Sequence, residues 1–153
     1  MRTLIRLAVL PILALALTAC GDPDDNGGAS AGPMSEATFE PSRGLPEGVE
    51  KTLDSPAGVV VGTDGQIHVV TYGSSSNPAV VRQVRAEGQT VTVQVSAVEG
   101  RAATMDYVPT TSTFILPDSV DPKQPITFEL SDFGPVEIAA AEPGAEAWVE
   151  RPE

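Results

Sequence analysis

The chain of 153 residues holds one cysteine, one histidine, one tryptophan and two tyrosines, and its nine lysines and arginines face 21 aspartates and glutamates. Each scarcity excludes something. A single cysteine cannot close an internal disulfide, and a single histidine offers no spacing of the kind that zinc sites use. Nine scattered basic residues on a chain of net charge −12 argue against DNA and RNA as partners, because phosphate binding needs Lys and Arg clustered on one face. With 14 glycines and 14 prolines in this length, the composition fits one small domain plus flexible sequence and leaves no room for two domains.

What is present begins with order at the amino terminus. Arg2 and Arg6 precede an apolar run from Leu7 to Ala16, broken by Pro11 and followed by Leu17-Thr18-Ala19-Cys20. A helix needs about 20 apolar residues to span a bilayer core, so this stretch is too short for a permanent span and has the build of a signal peptide. Leu17, Thr18, Ala19 and Cys20 together resemble the lipobox of bacterial lipoproteins: an aliphatic residue, two small ones, then cysteine. The resemblance implies cleavage between Ala19 and Cys20 and attachment of diacylglycerol to the Cys20 sulfur. One cysteine then suffices, since its task is to be acylated. Each buried CH₂ contributes about 0.8 kcal/mol, and two or more acyl chains, such as diacylglycerol with an added palmitate, anchor stably where one does not. The expected location is the extracytoplasmic face of the cell membrane. Removing residues 1–19 takes away Arg2 and Arg6 and no acids, so the net charge moves from −12 to −14.

From Cys20 to Asp54 the sequence is rich in Gly, Pro, Ser, Asp and Glu without sustained apolar periodicity, which reads as a flexible acidic linker. A chain of about 34 such residues has a root-mean-square reach of roughly 30 Å, a spacer between lipid and domain. Within it Asp22-Pro23-Asp24-Asp25-Asn26-Gly27 matches the first half of an EF-hand loop. The twelfth position, where a bidentate Glu belongs, is Pro33, and the calcium site is rejected.

Beyond Ala57 short β-branched runs alternate with turn residues. Val91, Val93 and Val95 interleave with Thr92, Gln94 and Ser96, and Ile126, Phe128 and Leu130 with Thr127, Glu129 and Ser131, the pattern of half-buried strands. Strands are expected over 57–62, 65–72, 79–86, 89–97, 103–108, 111–117, 125–131 and 135–140, with no helix of useful length. The fold class is all-β: a small antiparallel sandwich of the immunoglobulin-like kind, with a small barrel as the alternative. The domain should span 55–142, after signal peptide 1–19 and linker 20–54 and before a tail at 143–153. Pro109, Pro117 and Pro125 are expected at strand ends. A two-residue turn at Glu87-Gly88 would pair Val84 with Val91 and set Arg82 beside Val93, so a bulge is expected to re-aim Arg82.

The stretches Thr71-Tyr72-Gly73-Ser74-Ser75-Ser76-Asn77-Pro78, Ala103-Thr104-Met105-Asp106-Tyr107-Val108-Pro109-Thr110-Thr111-Ser112 and Leu116-Pro117-Asp118-Ser119-Val120-Asp121 are similar to a group of small actinobacterial lipoproteins. In that group cysteines stand where Asn77 and Ala103 stand here, a pair that the resemblance implies is bridged there, and this chain has neither. The resemblance implies an envelope location and carries no established activity. His68 is the one histidine, so serine or metal chemistry would have to use it, with Ser74, Ser75, Ser76 and Asp106 as conceivable partners. No nucleophile elbow supports this, and a strand histidine is more often a rim residue. Asp118 and Asp121 read as solvated turn formers. Tyr72, Ser74, Ser75, Ser76, Tyr107, Thr110 and Thr111 form the candidate binding surface, and Trp148 lies beyond the last expected strand. The expected function is a non-enzymatic, cofactor-free envelope module that binds a protein or glycan. The alternatives are an enzyme using His68 and an accessory solute-binding lipoprotein of a transporter, for which the domain is small.

Overall fold

Valine and isoleucine favour extended backbone because their branched Cβ packs well on a pleated surface, and the runs that carry them are the strands of this molecule. The computed structural model describes residue 39, residues 41–50 and residues 54–151. Ala19, Cys20 and the calcium-like stretch lie outside the described residues. Nine strands are present: β1 (Pro41–Arg43), β2 (Ala57–Val61), β3 (Ile67–Gly73), β4 (Val80–Glu87), β5 (Thr90–Ser96), β6 (Val108–Phe114), β7 (Ile126–Leu130), β8 (Pro135–Ile138) and β9 (Glu146–Trp148). A single 3₁₀ turn at Ser131–Phe133 is the one helical element among the described residues.

The strands form two sheets, ordered β1-β6-β3-β2-β9 and β4-β5-β7-β8, packed as a β-sandwich. Six of the seven pairings are antiparallel; β5 and β7 run parallel, with Val91 beside Phe128 and Val93 beside Leu130. The chain between them crosses to the opposite sheet as β6 before returning. Alternation supplies the core: Val59, Val61, Ile67, Val69 and Phe114 from the larger sheet meet Val84, Val91, Val93, Ile126, Phe128 and Leu130 from the smaller. Each such side chain, buried from water, stabilises the fold by roughly 1.5–3 kcal/mol. Buried hydroxyls tie the sheets where strands leave them. Ser112 Oγ accepts the Val81 N–H at 3.1 Å, and Thr71 Oγ1 donates to the Ala79 carbonyl at 2.6 Å.

The larger sheet is covered on its outer face as well. By register Val60, His68, Val70, Tyr72 and Thr111 point away from the core, yet Val60, Val70, Tyr72 and Thr111 are buried. The chain after β1 provides cover: Thr111 Oγ1 donates to the Gly44 carbonyl at 2.7 Å, and Pro46 and Val49 line a cleft together with Val60 and His68. Trp148 lies over Gly58, its cross-strand partner.

Four expectations are corrected. No strand occupies 103–108; the next strand begins at Val108 and ends at Phe114, not at 111–117, because residues 104–106 bond to the Ser74–Ser76 loop instead. Pro109 therefore lies inside β6. The Gly44 N–H donates to the Pro109 carbonyl, so that residue's backbone faces β1, whose ladder stops at Thr110. Strands β1 and β9 fall in the stretches read as linker and tail; each is a three-residue strip added to a sheet edge, formed by pairing with β6 and β2 rather than by its own propensity. The hairpin turn is Gly88-Gln89, with Gly88 at φ +57° in the first central position, so Val84 pairs with Val93 and Ala86 with Val91. The bulge remains, between Val81 and Gln83, and it leaves Arg82 exposed.

Candidate functional site

Gly73, at the end of β3, sits opposite Val108, at the start of β6, which puts the loops 74–79 and 97–107 at one end of the sandwich. Their hydroxyls and amides form one network. Ser74 Oγ accepts the N–H groups of Thr104 at 2.9 Å, Asn77 at 3.2 Å and Ser76 at 3.3 Å. Asp106 Oδ1 accepts the Ser75 N–H at 3.0 Å and a short bond from the Thr104 hydroxyl. The Ser75 and Thr104 hydroxyls, with the Ser75 N–H, hold the Asp106 carboxyl down at about 2. Asn77 is buried and clamps the second loop: its Nδ2 donates to the carbonyls of Val98 at 3.0 Å and Arg101 at 3.3 Å, and its Oδ1 accepts the Val98 N–H at 3.0 Å.

On this ordered base the loop displays apolar groups to solvent: Met105 fully, Val98 and Tyr107 partly. Tyr107 stacks on Tyr72 with ring centroids 5.3 Å apart and planes 18° apart, and its hydroxyl donates to the Ser55 carbonyl at 3.4 Å. Tyr72 lies beneath, 5% exposed, its hydroxyl buried without a partner among the described residues. Of the seven residues expected on the binding surface, the structure gathers Ser74, Ser75, Ser76 and Tyr107 at this end. Tyr72, Thr110 and Thr111 are buried, a correction that follows from the covering of both faces of the larger sheet; of the three, Thr110 keeps an edge on the small cleft beside Arg43. Sequence reasoning missed Thr104 as the hub opposite the serines, and it missed Arg43, which reaches this end from β1 and donates to the Ser75 carbonyl at 3.4 Å. The only local signal for Thr104 was a hydroxyl two residues before Asp106.

His68 stands apart. Its Nδ1 is 2.9 Å from Thr113 Oγ1 on the neighbouring strand, toward the opposite end of the sheet. At about 3.3 Å per residue, the six positions to Ser74 separate them by roughly 20 Å, so the serines and Asp106 are not partners of this ring. His68 borders a cleft of about 600 Å³ with Glu47, Asp64, Glu146, Val49 and Val60. Gly62 closes one wall: a Cβ there would lie 2.5 Å from His68 Nε2 and 2.6 Å from Asp64 Oδ1. The Gln66 N–H, above all, holds the Asp64 carboxyl below the usual range. No group of three or more metal-ligating side chains exists among the described residues. Compared with known proteins, the chain matches no family model, no curated sequence and no solved structure.

Proposed function

We propose that this protein is a lipid-anchored module of a bacterial cell envelope, held at the extracytoplasmic face of the membrane through Cys20 and binding an envelope protein or glycan, without catalysis, by its loop end. The observation that carries the reading is polarity. Pro41 pairs with Ser112 and Arg43 with Thr110, so the chain runs from the Phe114 end of β6 toward the end that bears Met105 and Tyr107. Phe39 packs edge-on against Phe114, ring centroids 6.2 Å apart, so the first described residue lies at the Phe114 end. A tether that arrives there leaves the loops pointing away from the lipid. Tyr107, stacked on Tyr72 above a network that is ordered in advance, suits recognition because little of its side-chain freedom is lost on contact, and exposed Met105 beside it offers an adaptable apolar contact.

Two measurements test this. Cys20→Ala should abolish acylation and release the protein from the membrane fraction; unchanged lipid on the variant overturns the anchor. A photo-crosslinking residue at Met105 should trap an envelope component in cells, while the same residue at Thr63, at the opposite end, should not. Equal crosslinking from both positions overturns the assignment of the loop end.

A further inference from the structure

Two clefts among the described residues carry opposite charge. The one beside His68 has Glu47, Asp64 and Glu146 on its walls and no lysine or arginine. The other, about 250 Å³, opens where β1 meets the two loops; Arg43 and Arg101 line it with Ser75, Ser76, Val108 and Thr110, and no aspartate or glutamate does. On a chain of net charge −12 the acids repel an anion almost everywhere, so a carboxylate-free cleft with two guanidinium groups is where one would settle.

We propose that this cleft is an oxyanion site, taking a carboxylate or phosphate group carried by the ligand of the loop end; it rests on the reading of that end as the binding end. Guanidinium presents its donors in a planar fork that matches both groups, and each is held in bidentate fashion. Both arginines are placed by the fold. Arg43 is set by the β1–β6 register and spends one long bond, 3.4 Å, on the Ser75 carbonyl, which leaves its other N–H groups for a ligand. Arg101 sits in the turn that Asn77 clamps, after Gly100 at φ +71°. The nearest acid of the network, Asp106, is turned to the Ser75 N–H and the Thr104 hydroxyl and does not line the cleft. The volume is below the roughly 300–1,000 Å³ of sites that enclose a whole small molecule, so the cleft receives one charged group while Met105 and Tyr107 face the remainder.

The test is a titration of the full chain in a non-ionic polyoxyethylene detergent, followed by amide chemical shifts and calorimetry. The probes are glucuronate, glucose 1-phosphate, inorganic phosphate and, as the neutral control, glucose. The charged sugars should move the amides of Ser75, Ser76 and Arg101, and glucose should not. Arg101→Gln and Arg43→Gln should each weaken binding about tenfold, and raising the salt should weaken it further, as expected of exposed charge-assisted bonds. Arg101→Gln leaves the strand pairings untouched, so its effect stands even if Arg43→Gln loosens β1. Sugar phosphate binding about tenfold tighter than inorganic phosphate identifies a glycan-borne group, and equal binding a free oxyanion. No shift up to about 20 mM, a response to glucose equal to that of glucuronate, or no effect of either substitution overturns the site. If the titration fails while Met105 still crosslinks, the oxyanion site alone is removed; the converse removes the crosslinked partner and keeps the site.

Discussion

Asp106 shows how a surface acid can be tied to stability. Its carboxyl, held at about 2 against an ordinary 3.8, binds fewer protons in the fold than in the unfolded chain as pH falls. The stability it contributes is therefore present above about pH 4 and lost as pH falls toward 2. Asp106→Asn should flatten the acid limb of a denaturation profile across that window and leave the neutral limb sloped as before; an unchanged acid limb counts against the network. At Gly58 the issue is space. A Cβ would lie 2.6 Å from Trp148 Cδ2 and 2.8 Å from the Ala147 carbonyl, so Gly58→Ala must push β9 outward. The expected cost is about 1–3 kcal/mol by urea unfolding, with a shift in Trp148 emission as the indole is displaced. Asn77→Ala removes three bonds to the Val98–Arg101 turn and should cost about 1–3 kcal/mol while loosening the loop that carries Arg101 and Met105.

At the scale of elements, the strands legible in the sequence are those that carry their own alternation. β5 and β7 read directly from Val91-Val93-Val95 and Ile126-Phe128-Leu130, each every second residue and each buried. β1 and β9 were not legible, because Pro41-Ser42-Arg43 and Glu146-Ala147-Trp148 have no period of two and become strands only against an existing edge. The candidate site was half legible for the same reason. Ser74 to Ser76 announce a polar loop, but Arg43 is distant in sequence and joins it through the β1–β6 register, and Thr110 and Thr111 look like surface until both sheet faces prove covered. Mild proteolysis separates the two boundaries. The resistant core should begin near Phe39 to Pro41 and end near Arg151; a stable product from Ala57 to Ala141 would mean that the edge strips contribute little.

The described residues are polarised: the Phe39–Phe114 pair and exposed Ile115 at one end, an acidic cleft around His68 toward that end, and arginines with exposed Met105 and Tyr107 at the other. Its connectivity carries a separate consequence. Because β5 and β7 lie side by side while the chain between them is a strand of the facing sheet, neither sheet can be completed from a continuous stretch of sequence. No half of the sandwich is a self-sufficient folding unit. Formation must wait for contacts between distant segments, which makes folding slow for this size and unfolding all-or-none. Far-ultraviolet dichroism, which follows both sheets, and Trp148 emission, which follows one edge, should trace a single coincident transition. Two separated transitions would mean that β9 peels away before the rest, and the domain would then lose its edge before it loses its core.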